Sequence, residues 1–346
     1  MEFRQPADDY GLHRVLEPEG ALPQAAEVLD ASGPAYVNEI GIDVERLNVD
    51  SASFHQIVGD VGRDAGAVGE RIHGIVGRRG KMQNPVTGSG GMLLGEIAAV
   101  GPDYDGPVEL ENGDRIATLV SLTLTPLAIE EVRGVDFDAD QVEIDGEAYL
   151  GPTAPVVPLP EDVAEPLALS VFDVCGAPAQ TRRLVDEGDR VLVLGVGKSG
   201  MLSAAAARDQ LGDAGTIHCL DRDDARMGAL ADAEIVDDWR TADATRPIDV
   251  REAVAEMGDG AVDVVINTCN VAENELSAIL PCCDRGTVYF FNMATSFSRA
   301  TLGAEGVGKD VDLVMGNGYA AGHAEYALEL VRAYDVLWEA LEESCF

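Results

Sequence analysis

Between Val37 and Leu150 the apolar positions fall in short runs or alternate with polar ones, and Gly, Pro, Asn or Asp interrupt them every few residues. A period of two places successive side chains on opposite faces of a strand, so this stretch is predicted to be all-β. The clearest strands are Glu39–Val44, Leu93–Val100, Arg115–Val120 and Gln141–Ile144. The proline-rich run Gly151–Pro160 reads as a connection between domains. Beyond it the rhythm changes. Arg190–Leu194 is a short apolar run, Lys198–Asp209 an alanine-rich helix and Thr216–Leu220 a second strand, with further strands at Val262–Ile266, Thr287–Phe291 and Val311–Met315. A last helix is predicted from His323 to Glu343. Strands alternating with helices predict a doubly wound parallel sheet, so the expected class is α/β, with a β-rich domain over residues 1–160 and a parallel-sheet domain over 161–346. Two domains also suit a chain of 346 residues.

Composition narrows the picture. No apolar run approaches the roughly 18 residues needed to span a bilayer. The first residues, Met1–Tyr10, lack the pattern of an export signal, which predicts a soluble, cytoplasmic protein with no membrane partner. Six cysteines (Cys175, Cys219, Cys269, Cys282, Cys283 and Cys345) are scattered through apolar stretches, as expected of reduced core thiols. Charge is the most unusual property: 62 acidic residues against 24 basic ones give a formal net charge of -38. That excludes nucleic acid as a partner. The acid is spread along the whole chain, which reads as adaptation to high salt, since molar salt shortens the screening length to about 3 Å and relieves self-repulsion. Only three lysines remain, Lys81, Lys198 and Lys309, and the first two stand in glycine-rich stretches where an ammonium can have a task.

Gly195, Gly197 and Gly200 have G-x-G-x-x-G spacing between a predicted strand and helix. Such glycines allow a tight turn, close approach of backbone to a pyrophosphate, and close packing of helix on sheet. Asp221 follows 21 residues after Gly200, at the end of the next strand, where a carboxylate binds ribose hydroxyls and disfavours a 2′-phosphate. This is a Rossmann-type dinucleotide site, and NAD is the expected cofactor. Arg222, next in the chain, can accept a 2′-phosphate and keeps NADP open. Lys198 and Ser199 begin the helix beside the expected pyrophosphate. A phosphate-binding P-loop is excluded because its first glycine would fall on Leu192, inside the strand.

In the β-rich half, Gly90–Gly101 and the later Gly113-Asp114-Arg115-Ile116 resemble the spine of the medium-chain dehydrogenases, which join a GroES-like domain to a Rossmann domain. Where zinc members of that superfamily carry a His and a Glu, this chain has Gly91 and Met92. Their ligating Cys would fall near Asn48, and the structural zinc lobe's spaced cysteines are missing, so no metal site is expected. More specific runs are Tyr10–Val15, Leu47–Phe54, Gln83–Met92, Gly176–Gln180 and Gly318–His323. Together they resemble the L-erythro-3,5-diaminohexanoate dehydrogenases, with Asn84-Pro85-Val86-Thr87-Gly88-Ser89-Gly90-Gly91-Met92 the most distinctive.

The resemblance implies an NAD(P)-dependent oxidoreductase of lysine fermentation that acts on a CH–NH2 group. It converts the small diamino acid to 5-amino-3-oxohexanoate with release of ammonium. A neutral amine expels hydride with its own lone pair, so the reaction calls for a base to deprotonate the substrate ammonium. Asp50 is the first candidate, because the resemblance places it where zinc alcohol dehydrogenases begin their proton relay; a turn-forming Asp is the alternative. Asp173, an acid in an apolar segment, is the candidate for the second ammonium. Lys81 is the candidate for the substrate carboxylate, with Arg14 and Arg79 as competitors. His13 can relay a proton or sit buried and hydrogen-bonded, and His323 is expected at a helix cap or an interface. The resemblance also implies a homodimer formed through Val311–Met315. Two rival readings stand beside this one, a zinc-independent quinone or enone reductase of the same superfamily and a non-catalytic dinucleotide-binding protein.

Overall fold

The computed structural model describes residues 2–119, 121–258 and 260–343, so the expected strand end at Val120 and the thiol of Cys345 lie outside the described residues. Its contacts divide the chain into two compact units, the first running to Leu169 and the second starting at Ser170.

The first unit opens with a small antiparallel hairpin, β1 (Val15–Glu17) and β2 (Val28–Leu29). Then follow β3 (Ile40–Val49), helices α1 (Ser51–Val61) and α2 (Ala65–Arg79), β4 (Gly91–Val100), β5 (Arg115–Thr118), β6 (Leu127–Asp136), β7 (Gln141–Leu150) and β8 (Val156–Pro158). The remaining six strands form one antiparallel sheet in the order β6-β7-β3-β4-β5-β8. Its core joins Ile40, Ile42, Val44 and Leu47 of β3 to Phe54 and Ile57 of α1 and to Ile72 and Ile75 of α2.

Several expectations need correction here. The pairing of β3 with both neighbours shifts between Val44 and Arg46, so side-chain alternation changes phase there. The alternation in sequence therefore stops at Val44 although the strand continues to Val49, and β7 likewise runs past Ile144 to Leu150. The stretch is not all-β, since α1 and α2 lie within it. Five glycines within them, Gly59, Gly66, Gly69, Gly74 and Gly77, hide these helices, each costing roughly 1 kcal/mol of helix propensity. Packing and caps override that cost. Asp50 and Asp64 cap the two helices by accepting from the N–H groups of Ala52 and Ala67, and α2 buries Val68, Ile72, Ile75 and Val76 on one face. Gly69 lets that face approach Val132 of β6, a strand whose many acids masked it in sequence. The proline-rich connection contributes β8, which pairs with β5.

The division between units falls within α3 (Glu165–Phe172). The second unit then runs α4 (Gly176–Leu184), β9 (Arg190–Leu194), α5 (Lys198–Leu211), β10 (Thr216–Asp221), α6 (Asp224–Asp232), β11 (Asp238–Thr241), α7 (Pro247–Met257), β12 (Val262–Asn267), α8 (Glu275–Ile279), β13 (Cys282–Phe290), α9 (Phe297–Val307), β14 (Asp312–Met315), α10 (His323–Ala333) and α11 (Asp335–Glu343). Its six strands are all parallel, in the order β11-β10-β9-β12-β13-β14. Strand order reverses on either side of β9, so the crevice beyond the carboxyl ends of β9 and β12 is the switch point at which such sheets bind ligands. The expected final helix is two helices, because Tyr334 takes an extended conformation between α10 and α11. Among the described residues no helix is long and apolar enough to cross a membrane.

Candidate active site

The turn from β9 into α5 has the geometry its glycines predict. Gly195 takes φ +91°, with its Cα against the backbone of Cys269, and a Cβ on Gly200 would collide with the Gly195 carbonyl. Gly197 differs: it is exposed, and a Cβ there would meet nothing within 4 Å. Gly197 is also the N-cap of α5 and offers no side chain to the first N–H groups of the helix. An open backbone cradle at a helix start suits a pyrophosphate, which supplies the missing acceptors and lies at the positive end of the helix dipole. Lys198 and Ser199 are half-buried at the same place.

Asp221, at the end of β10, accepts from the Val196 N–H at 2.6 Å and from the N–H groups of Arg222 and Asp223 at 2.6 and 3.1 Å. The carboxylate is thus fixed beside the glycine turn, and the Arg222 side chain is exposed. Sequence reasoning missed Thr268, whose Oγ1 donates to the Gly195 carbonyl at 2.8 Å and ties the end of β12 to the turn. Behind it the buried Asn267 and Asn274 hold the loop around Cys269, Asn274 donating to the Cys269 carbonyl at 2.6 Å. These residues fit a nicotinamide dinucleotide across the switch point.

In the first unit a second site is assembled from two distant segments. Asn84, almost fully buried, donates to Gln56 at 2.8 Å and accepts from the Val86 N–H at 2.9 Å, so it both shapes the loop after it and pins that loop to α1. Gly90 and Gly91 end the loop, with Gly91 at φ +116° and its Cα against the Asn48 carbonyl and the Asp50 nitrogen. The result is a cluster of hydroxyls over the start of α1. Ser53 Oγ lies 2.6 Å from both Thr87 Oγ1 and Ser89 Oγ, and Ser89 Oγ donates to Asp50 Oδ1 at 2.8 Å. Asp50 is half-buried and also caps α1, so it has the helix-capping task and a hydroxyl network together. The three hydroxyls carried no role in the sequence reading, although all stand in its quoted runs. Only the meeting of residues 50–53 with 84–91 reveals them.

Other candidates are placed elsewhere. Lys81 is fully buried, and its Nζ donates to the carbonyls of Pro23 at 2.9 Å and Gln24 at 3.4 Å. Burial, and then the charge of Arg79, lower its pKa to about 8. The expectation that Lys81 meets a substrate carboxylate does not match this placement, in which the ammonium tethers the loop before β2. Its competitor Arg14 is also buried. Arg14 donates to Glu39 at 3.0 and 2.6 Å and to the Ser32 carbonyl at 2.6 Å, and it stacks on Tyr149. Arg79 donates to Gln83 at 2.8 Å. His13 completes the Arg14 cluster, with Nε2 at 2.8 Å from Glu39. Its Nδ1 accepts from the Asp8 N–H, so the proton sits on Nε2 and donates to Glu39. Burial alone would push the Glu39 carboxyl up, but the hydrogen bonds of His13 and Arg14, the Arg14 charge and the Tyr36 N–H outweigh it and hold it down to about 2.

In the second unit Asp173 is exposed in the turn between α3 and α4, where its charge adds to burial in raising the Cys175 thiol. His323 begins α10, is buried, and has its ring edge against Tyr319. The runs at 176–180 and 318–323 prove to be one clamp. Gly176 lies against the Gly318 carbonyl, and Gln180 donates to Asn317 and to the Tyr319 carbonyl while accepting from Tyr289 OH at 2.8 Å. Among the described residues no group of three or more His, Cys, Asp or Glu could hold a metal ion. Cys175, Cys219, Cys269, Cys282 and Cys283 are free thiols.

An antiparallel β unit followed by a parallel six-stranded sheet with a glycine-rich dinucleotide turn is the fold of the medium-chain dehydrogenases, GroES-like and then Rossmann. The alcohol dehydrogenase from Thermus sp. ATN1 shares this fold with a TM-score of 0.51 and 16% identity, over 89% of this chain and 84% of that one. A mycobacterial quinone oxidoreductase does so with a TM-score of 0.53 and 18% identity, over 90% of this chain and 83% of its own. The model of the L-erythro-3,5-diaminohexanoate dehydrogenase N-terminal domain matches residues 13–160. The L-erythro-3,5-diaminohexanoate dehydrogenase of Acetoanaerobium sticklandii is 49% identical over 96% of this chain and 98% of its own, and that of Fusobacterium nucleatum is 48% identical over 96% and 97%. The chain belongs to the L-erythro-3,5-diaminohexanoate dehydrogenase family, and it is an oxidoreductase that uses a nicotinamide dinucleotide.

Proposed function

We propose that this protein is a cytoplasmic enzyme that catalyses the NAD-dependent oxidative deamination of L-erythro-3,5-diaminohexanoate at C3, as in lysine fermentation, giving 5-amino-3-oxohexanoate and ammonium. The observation that carries the chemistry is the Asp50 carboxylate, fixed by the start of α1 and by Ser89 in a family whose named members match nearly the whole chain. Asp50 takes a proton from the substrate's C3 ammonium. The lone pair of the neutral amine then drives hydride from C3, for which a bound dinucleotide would be the acceptor, and water adds to the resulting iminium before ammonia leaves. Asp173 is proposed to meet the second ammonium.

NAD is favoured over NADP because Asp221 is held beside the glycine turn by three backbone N–H groups, where its charge opposes a 2′-phosphate. Pairing of two β14 edge strands is proposed to form a homodimer. In support, β14 is an edge of its sheet, and Met293, Phe297, Leu302, Met315 and Tyr319 are exposed apolar side chains in the segment around it. The net charge of -38 further suggests that the enzyme works in concentrated salt.

The test is NADH formation from NAD and the diamino acid in about 2 M KCl, a concentration that restores screening. NADPH-dependent quinone reduction serves as the control. Stoichiometric ammonium release, with an Asp50→Asn variant slowed by about a hundredfold or more at unchanged NAD affinity, is the expected result. Quinone reduction without amine oxidation would transfer the chain to the reductase reading.

A further inference from the structure

Three hydroxyls in mutual contact, with one carboxylate at their edge, set the direction of the protons along their shortest bonds. Each hydroxyl has a single hydrogen to give. Ser89 gives its hydrogen to Asp50 Oδ1, so the 2.6 Å bond between Ser53 and Ser89 is donated by Ser53, for which the Ser89 carbonyl at 3.3 Å is the longer alternative, and the 2.6 Å bond between Ser53 and Thr87 is then donated by Thr87. The remaining 3.1 Å contact between Thr87 and Ser89 then carries no proton. All three O–H groups point toward the carboxylate in a row: Thr87 to Ser53, Ser53 to Ser89, Ser89 to Asp50. The two ends of the row differ in their surroundings. Ser53 is entirely buried and Ser89 half-buried, whereas Thr87 is exposed.

We propose that Ser89, Ser53 and Thr87 form the path by which the proton taken up at Asp50 leaves for solvent. This rests on the reading of Asp50 as the base. With an ammonium seated on it, the open side of the carboxylate is occupied, and the side bonded to Ser89 remains. Once Asp50 is protonated, the row turns round, so that its O–H donates to Ser89, Ser89 to Ser53, Ser53 to Thr87 and Thr87 to water. Each hydrogen then crosses to the oxygen it points at: the O–H bond of Asp50 breaks, every hydroxyl gains one hydrogen and gives up one, and water takes the last. One proton has entered at Asp50 and one has left at Thr87, with no net charge on any hydroxyl. The same transfer restores the carboxylate and leaves the row pointing toward it for the next turnover. Ser89, Ser53 and Thr87 touch neither hydride nor carbon, so they are positioning and relay residues and not the base.

The experiment compares the full-length protein with Ser53→Ala and Thr87→Val, the latter at an exposed site where folding is not at risk. Turnover is measured with and without added imidazole, and an indicator dye follows proton release during a single turnover. Both variants should lose about tenfold in kcat, part of the hundredfold or more that a positioned base supplies, with the substrate KM unmoved. Imidazole should restore the loss, and the proton should appear after NADH in place of together with it. Thr87→Ser should behave as the parent. A loss that imidazole does not restore, or proton release in step with NADH in both variants, would overturn the relay and leave the hydroxyls as loop fasteners. Asp50→Asn separates the two ideas. If it is inactive while Ser53→Ala and Thr87→Val are normal, only the path fails; if it is active, the reading of Asp50 as base fails as well.

Discussion

The two glycine-rich turns of the molecule serve different kinds of construction. In the second unit the turn at 195–200 is one continuous stretch whose shape comes from backbone meeting backbone, Gly200 against the Gly195 carbonyl, with open space left only at Gly197. In the first unit Gly90 and Gly91 also let backbone approach backbone, but what they deliver is a set of side chains, Thr87 and Ser89, onto Ser53 and Asp50 from more than 30 residues earlier in the chain. The cluster of His13, Arg14 and Glu39 is of the same kind, joining a turn near the start to the approach to β3. A binding turn for a common cofactor can be local because its ligand is recognised by N–H groups that every residue carries. A site particular to one substrate needs particular side chains, and the fold gathers them from wherever the chain supplies them.

If this contrast is right, the first unit should be most sensitive to losing polar side chains and the second to gaining a methyl group. The largest effect is expected at Glu39. Glu39→Gln leaves the buried Arg14 uncompensated and should cost about 3–5 kcal/mol in denaturant unfolding of the first unit. The pH dependence has a definite sign. The folded carboxyl is held at about 2, below its ordinary 4.5, so the stabilisation is full above that ordinary value and is lost as pH falls through about 2. The variant should lack this acid limb, and an unchanged acid transition would break the comparison.

Next in size is Gly200→Ala. Its methyl has nowhere to go, so a loss of about 1–3 kcal/mol or more in the stability of the second unit is expected, read as a lower thermal midpoint in the absence of cofactor. Gly197→Ala should leave that midpoint unchanged and weaken dinucleotide binding by about tenfold in titration calorimetry, since the added methyl faces open space that the pyrophosphate would fill. Equal effects at 197 and 200 would remove the distinction between packing glycine and binding glycine. The smallest effect concerns Lys81. Its folded pKa of about 8 lies below the ordinary 10.5, so the cost of burying its charge is present below 8 and is relieved as pH rises toward 10.5. Relative to Lys81→Met, the parent should gain stability over that window; a flat difference would show that the ammonium is not held as the structure places it.

Much of the fold could be read from the chain before any coordinates. The glycine spacing at 195–200, Asp221 at the next strand end and the alternation of strand and helix after Arg190 are local patterns, and the structure reproduces them because the parallel sheet is made of local units. The helices α1 and α2 were hidden because their glycines argue against helix when each residue is weighed alone; packing against the sheet, as at Gly69 on Val132, is what sets them. The extension of β3 past Val44 was hidden by a change of phase that only strand pairing produces. Lys81 stood out in a chain with three lysines, yet rarity carries no information about which carbonyls would surround it.

The sequence by itself therefore determined the strand and helix alternation after Arg190, the dinucleotide turn, the family and the net charge, since each is written in adjacent residues or in composition. The tertiary structure alone decided which polar side chains meet. It turned Lys81 and Arg14 inward to hold loops, and it set Ser53, Thr87 and Ser89 in line with Asp50. The physical reason is range. A backbone turn is fixed by torsion angles within a few residues, whereas a hydrogen bond between positions 53 and 87 exists only after α1 and α2 have packed and closed the distance.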